Sequence, residues 1–226
     1  MITRHATKEI IYFFVLTMAA IGVIACLAYV TGAAWLNWLI IFPVLFYGFV
    51  LFFFRDPGRK VPPGEENVVA PADGYITDIE TVEEPEFLGG KALRIGIFLS
   101  LFTPHINRSP VDGTVRYIKY HPGQFHNALH SRICGRENEA NSIGIDNGSF
   151  PLLVKQIAGI IARRIVCTPC VGATLSRGER IGMIKFGSRT ELYIPVSVNF
   201  TPKVKLGERV RAGSSIIGVI GKEVTP

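Results

Sequence analysis

Phe186-Gly187-Ser188-Arg189-Thr190-Glu191-Leu192-Tyr193-Ile194-Pro195 is the stretch on which the reading of this chain turns. A serine directly behind a glycine separates two strand-like runs, residues 180–186 and 191–198. A tight turn is the ordinary use of such a pair. It is also a place where a backbone can cut itself, making residue 188 a new N-terminal group with chemistry no ordinary side chain has. Gly148-Ser149 and Gly213-Ser214 repeat the dipeptide, so the surrounding sequence has to choose.

Outward from this stretch, short β-like runs recur between glycines at residues 93–102, 114–120, 164–168 and 215–220. Residues 152–161 read as a further strand from their Val and Ile content. This spacing predicts a mainly β domain of interlocked short-strand hairpins, with lipoyl-carrier-like or barrel-sandwich character. Two internal similarities support it. Pro71-Ala72-Asp73-Gly74 leading to Tyr75-Ile76 parallels Pro110-Val111-Asp112-Gly113 leading to Thr114-Val115, and Gly178-Glu179-Arg180 parallels Gly207-Glu208-Arg209.

The N-terminal region is of another kind. From Ile10 to Phe54 no side chain is charged, which supplies two spans of about 20 residues each. Thr31-Gly32 breaks the run, so a transmembrane helical hairpin is expected at 10–30 and 34–54, with Tyr29, Trp35 and Trp38 near its turn. Arg4 and Lys8 precede it, and Arg55, Arg59 and Lys60 follow it. Both ends, and the domain beyond, are therefore expected on the cytoplasmic side of the cell membrane. Val23-Ile24-Ala25-Cys26 resembles a lipoprotein cleavage box, but a cleaved signal is not followed at once by a second uncharged span. The expected organisation is an N-terminus at 1–9, the hairpin at 10–54, a polar linker at 55–67 and a domain at 68–226.

The 226 residues carry a formal net charge of +6, which suits an anionic bilayer surface, and no motif supports nucleic-acid binding. Cys26 lies in a span, Cys134 is alone, and Cys167-Thr168-Pro169-Cys170 lacks the second pair a structural zinc site needs. Neither a metal nor a disulfide is expected.

One ordered set of elements narrows the function. It comprises Ala70-Pro71-Ala72-Asp73-Gly74, Phe98-Leu99-Ser100, His105-Ile106-Asn107-Arg108-Ser109-Pro110-Val111-Asp112-Gly113, His121-Pro122-Gly123-Gln124-Phe125, Glu137-Asn138-Glu139, and Gly178 through Arg189. In this order the chain resembles the short, membrane-anchored form of phosphatidylserine decarboxylase, a pyruvoyl-dependent carboxy-lyase made as a self-cleaving proenzyme. The resemblance covers the whole soluble part. It implies serinolysis at Gly187-Ser188, giving a β chain of residues 1–187 and an α chain of residues 188–226 that remain together as a heterodimer. Ser188 would become the pyruvoyl group, forming a Schiff base with phosphatidylserine and acting as the electron sink for its decarboxylation to phosphatidylethanolamine and CO2. A homo-oligomer is left open.

The resemblance also implies roles for Asp73 and His105 in activating Ser188, whose hydroxyl is a poor nucleophile until a base takes its proton. Asp-Gly is equally a common turn pair, and Asp112 has the same context as Asp73. Longer bacterial members carry a second histidine three residues after the first, where this chain has Arg108. His105 is then expected to serve both proton-transfer steps, with His121 in reserve as a substrate-site residue. Arg108 and Arg189, beside these positions, are expected anion contacts. His126, His130, Arg132, Arg136 and Arg163-Arg164 read as solvated.

Two alternatives stand beside this one. A non-enzymatic lipoyl- or biotinyl-like carrier needs a lysine at a hairpin tip, whereas Met183-Ile184-Lys185 lies within a strand; a membrane adaptor needs a long helical hairpin outside the membrane. An archaetidylserine decarboxylase would need the same headgroup chemistry as the phosphatidylserine enzyme.

Overall fold

The computed structural model describes residues 2–126, 137–159, 164–185 and 188–221. The chain divides into two units, one ending at Gly58 and one beginning at Arg59.

In the first unit a short 3-10 turn, Arg4–Ala6, leads into α1 (Thr7–Thr31). Tyr12, Val15, Met18, Val23 and Leu27 of α1 are all more than half exposed, so the helix has no polar face to present to water. Gly32 ends it in the left-handed region at φ 70°, where glycine carries no Cβ penalty. The return begins as a 3-10 segment, Ala34–Ile40, and becomes α2 (Ile41–Phe53). Pro43 explains this restart, which the expected continuous helix at 34–54 did not include. Within an uninterrupted α-helix its missing N–H would break the ladder, but in the first turn of α2 that N–H has no intrahelical partner to lose. Phe13–Phe46 and Phe14–Tyr47 ring contacts at 5.6 and 5.7 Å join the two legs. The hairpin closes where the Thr3 N–H donates to the Phe54 carbonyl at 3.0 Å. Both legs are long and apolar enough to cross a membrane.

The second unit is built of short strands. In chain order these are β1 (Asn67–Val69), β2 (Gly74–Glu84), β3 (Gly90–Leu99), β4 (Ile106–Arg108), β5 (Gly113–His121), β6 (Ala140–Asp146) and β7 (Pro151–Ile157). They continue with β8 (Ile165–Cys167), β9 (Thr174–Leu175), β10 (Arg180–Ile184), β11 (Ser188–Pro195), β12 (Phe200–Pro202), β13 (Arg209–Val210) and β14 (Ile216–Ile220). One eight-stranded antiparallel sheet has the order β13-β2-β3-β11-β7-β6-β5-β9, and two three-stranded sheets have the orders β4-β10-β8 and β1-β14-β12. The mainly β expectation is met.

The core lies on one face of the large sheet. Ile76, Ile95, Ile97, Leu99, Ile143, Ile145, Leu152, Val154, Leu192 and Ile194 meet Val68, Ile181 and Ile217 of the smaller sheets there. Burial of each such side chain contributes about 1.5–3 kcal/mol.

Both internal similarities are structural repeats. Gly74 and Gly113 each open a strand against a neighbouring backbone: an added Cβ would come 2.1 Å from the Phe98 carbonyl oxygen in one case and 2.6 Å from that of Asp146 in the other. Gly178 and Gly207 each take a positive φ, near 79° and 78°. In each turn the following glutamate accepts a backbone N–H, that of Ser176 at 2.8 Å and that of Lys205 at 3.0 Å.

The second unit also includes most of the stretch expected as a linker. Arg177 donates to the carbonyls of Pro62 at 3.1 Å, of Asn67 at 2.9 Å, and of Gly64, holding this segment on the turn that precedes β10.

Candidate active site

Ser188 is the first residue of β11, paired with Leu99 of β3. Its neighbours on the same face, Thr190, Leu192 and Ile194, point toward the core, and Ser188 itself is fully buried. Its Oγ has no hydrogen-bond partner among the described residues. Phe186 and Gly187, the other half of the expected cleavage site, lie outside the described residues.

His105 is brought to this strand from both sides of Ser188. Before it, the Ile184 N–H donates to the His105 carbonyl at 3.2 Å. After it, Asn107 Nδ2 donates to Thr190 Oγ1 at 2.8 Å. The His105 ring is fully buried, with Nδ1 2.8 Å from the Thr103 carbonyl. A carbonyl can only accept, so Nδ1 carries the hydrogen and the lone pair of the neutral ring resides on Nε2. Thr103 is itself fixed by its N–H and Oγ1, both donating to the Ser100 carbonyl.

Behind this contact runs a chain of buried amides. Gln156 Nε2 donates to Asn107 Oδ1 at 2.9 Å, and Asn141 Nδ2 to Gln156 Oε1 at 3.2 Å. Asn107, Gln156 and Thr190 are all fully buried, so the amides lock one another's orientation.

Asp73 immediately precedes β2, at the same end of the large sheet. Tyr75, Phe98 and Arg189 form one row across β2, β3 and β11, which separates the β2 and β11 backbones by about 10 Å. The Asp73 carboxylate is buried and accepts from Arg59 at 2.5 Å. Burial pushes its pKa up from the ordinary carboxylate range, against the opposing pull of Arg59 and, more weakly, Arg108. Arg108 is buried beside it, with Nη1 donating to the Gly178 carbonyl at 2.8 Å.

Arg189 faces the other side of the sheet. Its guanidinium is fully buried, donating to Asp78 at 2.5 Å, to Glu191 at 2.7 Å and to Thr77 at 2.6 Å. Arg94 joins Asp78 at 3.3 Å and Glu80 at 3.0 Å, and the Tyr193 hydroxyl donates to Glu191 at 2.5 Å. Burial disfavours the charged form of Arg189, but Glu191 and Asp78 more than restore it. Only glycine at position 96 leaves space for this group, since a Cβ there would lie 1.8 Å from an Arg189 nitrogen. The guanidinium expected to contact a substrate anion is thus already met by two carboxylates, Asp78 and Glu191. The side chain instead clamps the strand directly behind Ser188.

His121 is not gathered into the site either. It shares the row of Arg189 but lies three strands away, through Ala140 and Ile157. Its Nε2 is 3.4 Å from Glu86 and from Ser142, and burial lowers its pKa.

The profile of the phosphatidylserine decarboxylase family matches residues 46–218. The chain belongs to that family. It is 47% identical over 171 residues to a protein of Symbiobacterium thermophilum named phosphatidylserine decarboxylase proenzyme, covering 75% of this chain and 78% of the relative. A Carboxydothermus hydrogenoformans protein of the same name is 43% identical over 203 residues, covering 90% of this chain and 92% of the relative. The corresponding Chlorobium phaeovibrioides proenzyme is 44% identical over 173 residues, 76% of this chain and 77% of its own.

In this family member several site residues carry no local signal of their role. Asn107 and Thr190 flank His105 and Ser188 closely in sequence but read as ordinary polar positions. Gln156 is an amide inside an apolar strand, which is itself a mark of buried hydrogen bonding. Arg59 read only as part of the basic flank of the hairpin. Lys185, beside Met183 and Ile184, is only 6% exposed and so does not stand as the accessible hairpin-tip lysine a carrier needs.

Proposed function

We propose that this chain is a phosphatidylserine decarboxylase that generates its pyruvoyl group from Ser188 and forms phosphatidylethanolamine and CO2. The observation that carries the reading is the Ser188 hydroxyl, buried at the head of β11 with no partner among the described residues. Burying such a group unpaired costs about 1–3 kcal/mol. A residue destined to lose its hydroxyl has reason to stand there, and a ketoacyl group, which only accepts hydrogen bonds, fits the same place.

Maturation begins when Ser188 Oγ gives up its proton to Asp73 and attacks the Gly187 carbonyl. The Gly187–Ser188 amide bond breaks, the Ser188 nitrogen takes a proton, and an ester joins the two residues. Loss of the Ser188 α-proton then expels the Gly187 carboxylate, leaving dehydroalanine at residue 188. Water replaces its nitrogen, released as ammonia, and the pyruvoyl group remains at the head of the 188–226 chain. The register of β11 supports continued association with the 1–187 chain, because its eight residue pairs with β3 and five with β7 do not depend on the cut peptide bond.

A pyruvoyl group held at position 188 would supply a carbonyl for the substrate amine and a sink for the electron pair left by CO2. His105 Nε2, oriented through Nδ1 and the Thr103 carbonyl, is assigned the proton transfer at the substrate α-carbon. Arg108 is the assigned contact for substrate anionic groups. The hairpin, with basic residues on both flanks, anchors the domain at the cytoplasmic headgroup layer while the acyl chains stay in the bilayer.

Denaturing electrophoresis of the expressed protein tests this reading. Two pieces are expected, the smaller (188–226) resistant to Edman sequencing, and Ser188→Ala should leave one intact, inactive chain. Decarboxylation by an uncleaved protein would refute it.

A further inference from the structure

We propose that Arg59, on the segment that leaves the membrane hairpin, is a positioning residue for maturation: it holds the Asp73 carboxylate fixed and ionised, the state in which it can serve as the base for Ser188. The inference rests on the reading of Asp73 as the base. Asp73 is 6% exposed, and a carboxylate taken that far from water favours its neutral form unless a cation meets it. Arg59 Nη2 meets Oδ1 at 2.5 Å, with side-chain exposures of only 12% for Arg59 and 8% for Asp73.

The delivery of Arg59 is built into the domain. Arg177 holds the carbonyls of Pro62, Gly64 and Asn67, the residues just beyond Arg59. Val61 packs where a Cβ on Gly178 would lie 2.5 Å from its Cγ2, so the absent side chain at 178 makes room for the segment. Two other groups face Asp73 among the described residues. Arg108 approaches from β4 with a weaker electrostatic effect, and the Ala212 N–H donates from the turn after β13. Arg108 also serves the Gly178 carbonyl at 2.8 Å. Without Arg59, burial would oppose ionisation with Arg108 as the remaining cation.

The sign of the effect follows. Burial already raises the Asp73 pKa, and Arg59 works against that rise. Removing Arg59 lifts it further, so the basic form appears only at higher pH. A purely structural loss would slow maturation by the same factor at every pH.

The test uses full-length proenzyme synthesised cell-free into phosphatidylcholine–phosphatidylglycerol nanodiscs, following release of the 188–226 fragment between about pH 6 and about pH 9. Arg59→Gln should mature at least about tenfold more slowly near neutrality, with the deficit closing at the alkaline end, while Arg59→Lys keeps a profile close to the parent. An unshifted Arg59→Gln profile, a constant deficit at all pH values, or an Arg59→Lys profile displaced as far as that of Arg59→Gln would each overturn the proposal. Asp73→Asn separates the two levels of argument. If it matures at the parent rate, the base assignment fails and takes this inference with it. If it is blocked while Arg59→Gln is unshifted, the Arg59 inference alone fails.

Discussion

Asp73-Gly74 and Asp112-Gly113 open two strands with the same letters and the same glycine packing. In both, a side chain on the glycine would collide with a carbonyl oxygen and an isoleucine methyl of the neighbouring strand. The carboxylates part company there. Asp112 is exposed and accepts the Arg177 N–H at 2.9 Å, an ordinary turn contact. Asp73 is buried against Arg59. The shared motif is thus a device for starting a strand. One copy is set apart because Arg59, from outside the repeat, meets its buried carboxylate with a counter-charge.

The sharpest way to break this comparison is to exchange the two carboxylates for amides. Asp73→Asn should slow maturation by at least about a hundredfold, the scale of a lost general base, whereas Asp112→Asn should mature normally on a gel time course. Equal behaviour of the two would erase the distinction. The next effect is pH. Because burial raises the Asp73 pKa, its basic form is lost as pH falls through that raised value, so maturation of the parent protein should slow by up to about tenfold per pH unit on the acid side. A flat rate through the acidic range would remove Asp73 from the chemistry. Third, Gly74→Ala and Gly113→Ala should both destabilise, by about 2–4 kcal/mol, because the collision is with backbone that cannot rotate away. Thermal melting should register a drop of about 5–15 °C for each, larger for Gly74 with its 2.1 Å approach than for Gly113 with its 2.6 Å approach. Smallest is Asp112→Ala, which removes one exposed turn contact and should cost about 0.5–1 kcal/mol with maturation intact.

Much of the fold was legible because its signals are local. A run without charge reads as a hairpin whatever lies around it, and glycine-bounded β-branched runs read as strands. The misplacements have local causes as well. The run expected at 93–102 ends as a strand at Leu99, because the Thr103 N–H turns back to the Ser100 carbonyl at 3.0 Å. The run expected at 191–198 begins earlier, at Ser188, because Arg189 and Glu191 neutralise each other and can be buried inside the sheet.

The candidate site divides along the same line. Ser188, Asp73 and His105 stood out in linear motifs, where residue type and order carry the information. The sequence by itself also determined the apolar helical hairpin, the β character of the domain and the repeated Asp-Gly and Gly-Glu-Arg turns, since each depends on neighbours a few residues apart. Tertiary structure alone decided that Arg59 and Arg108, rather than Arg189, lie beside Asp73, that His121 stands apart, and that Asn107, Thr190 and Gln156 form one buried chain. Those assignments depend on which residues distant in sequence share a desolvated space, and a carboxylate or guanidinium acquires its chemical state only when that space is closed around it.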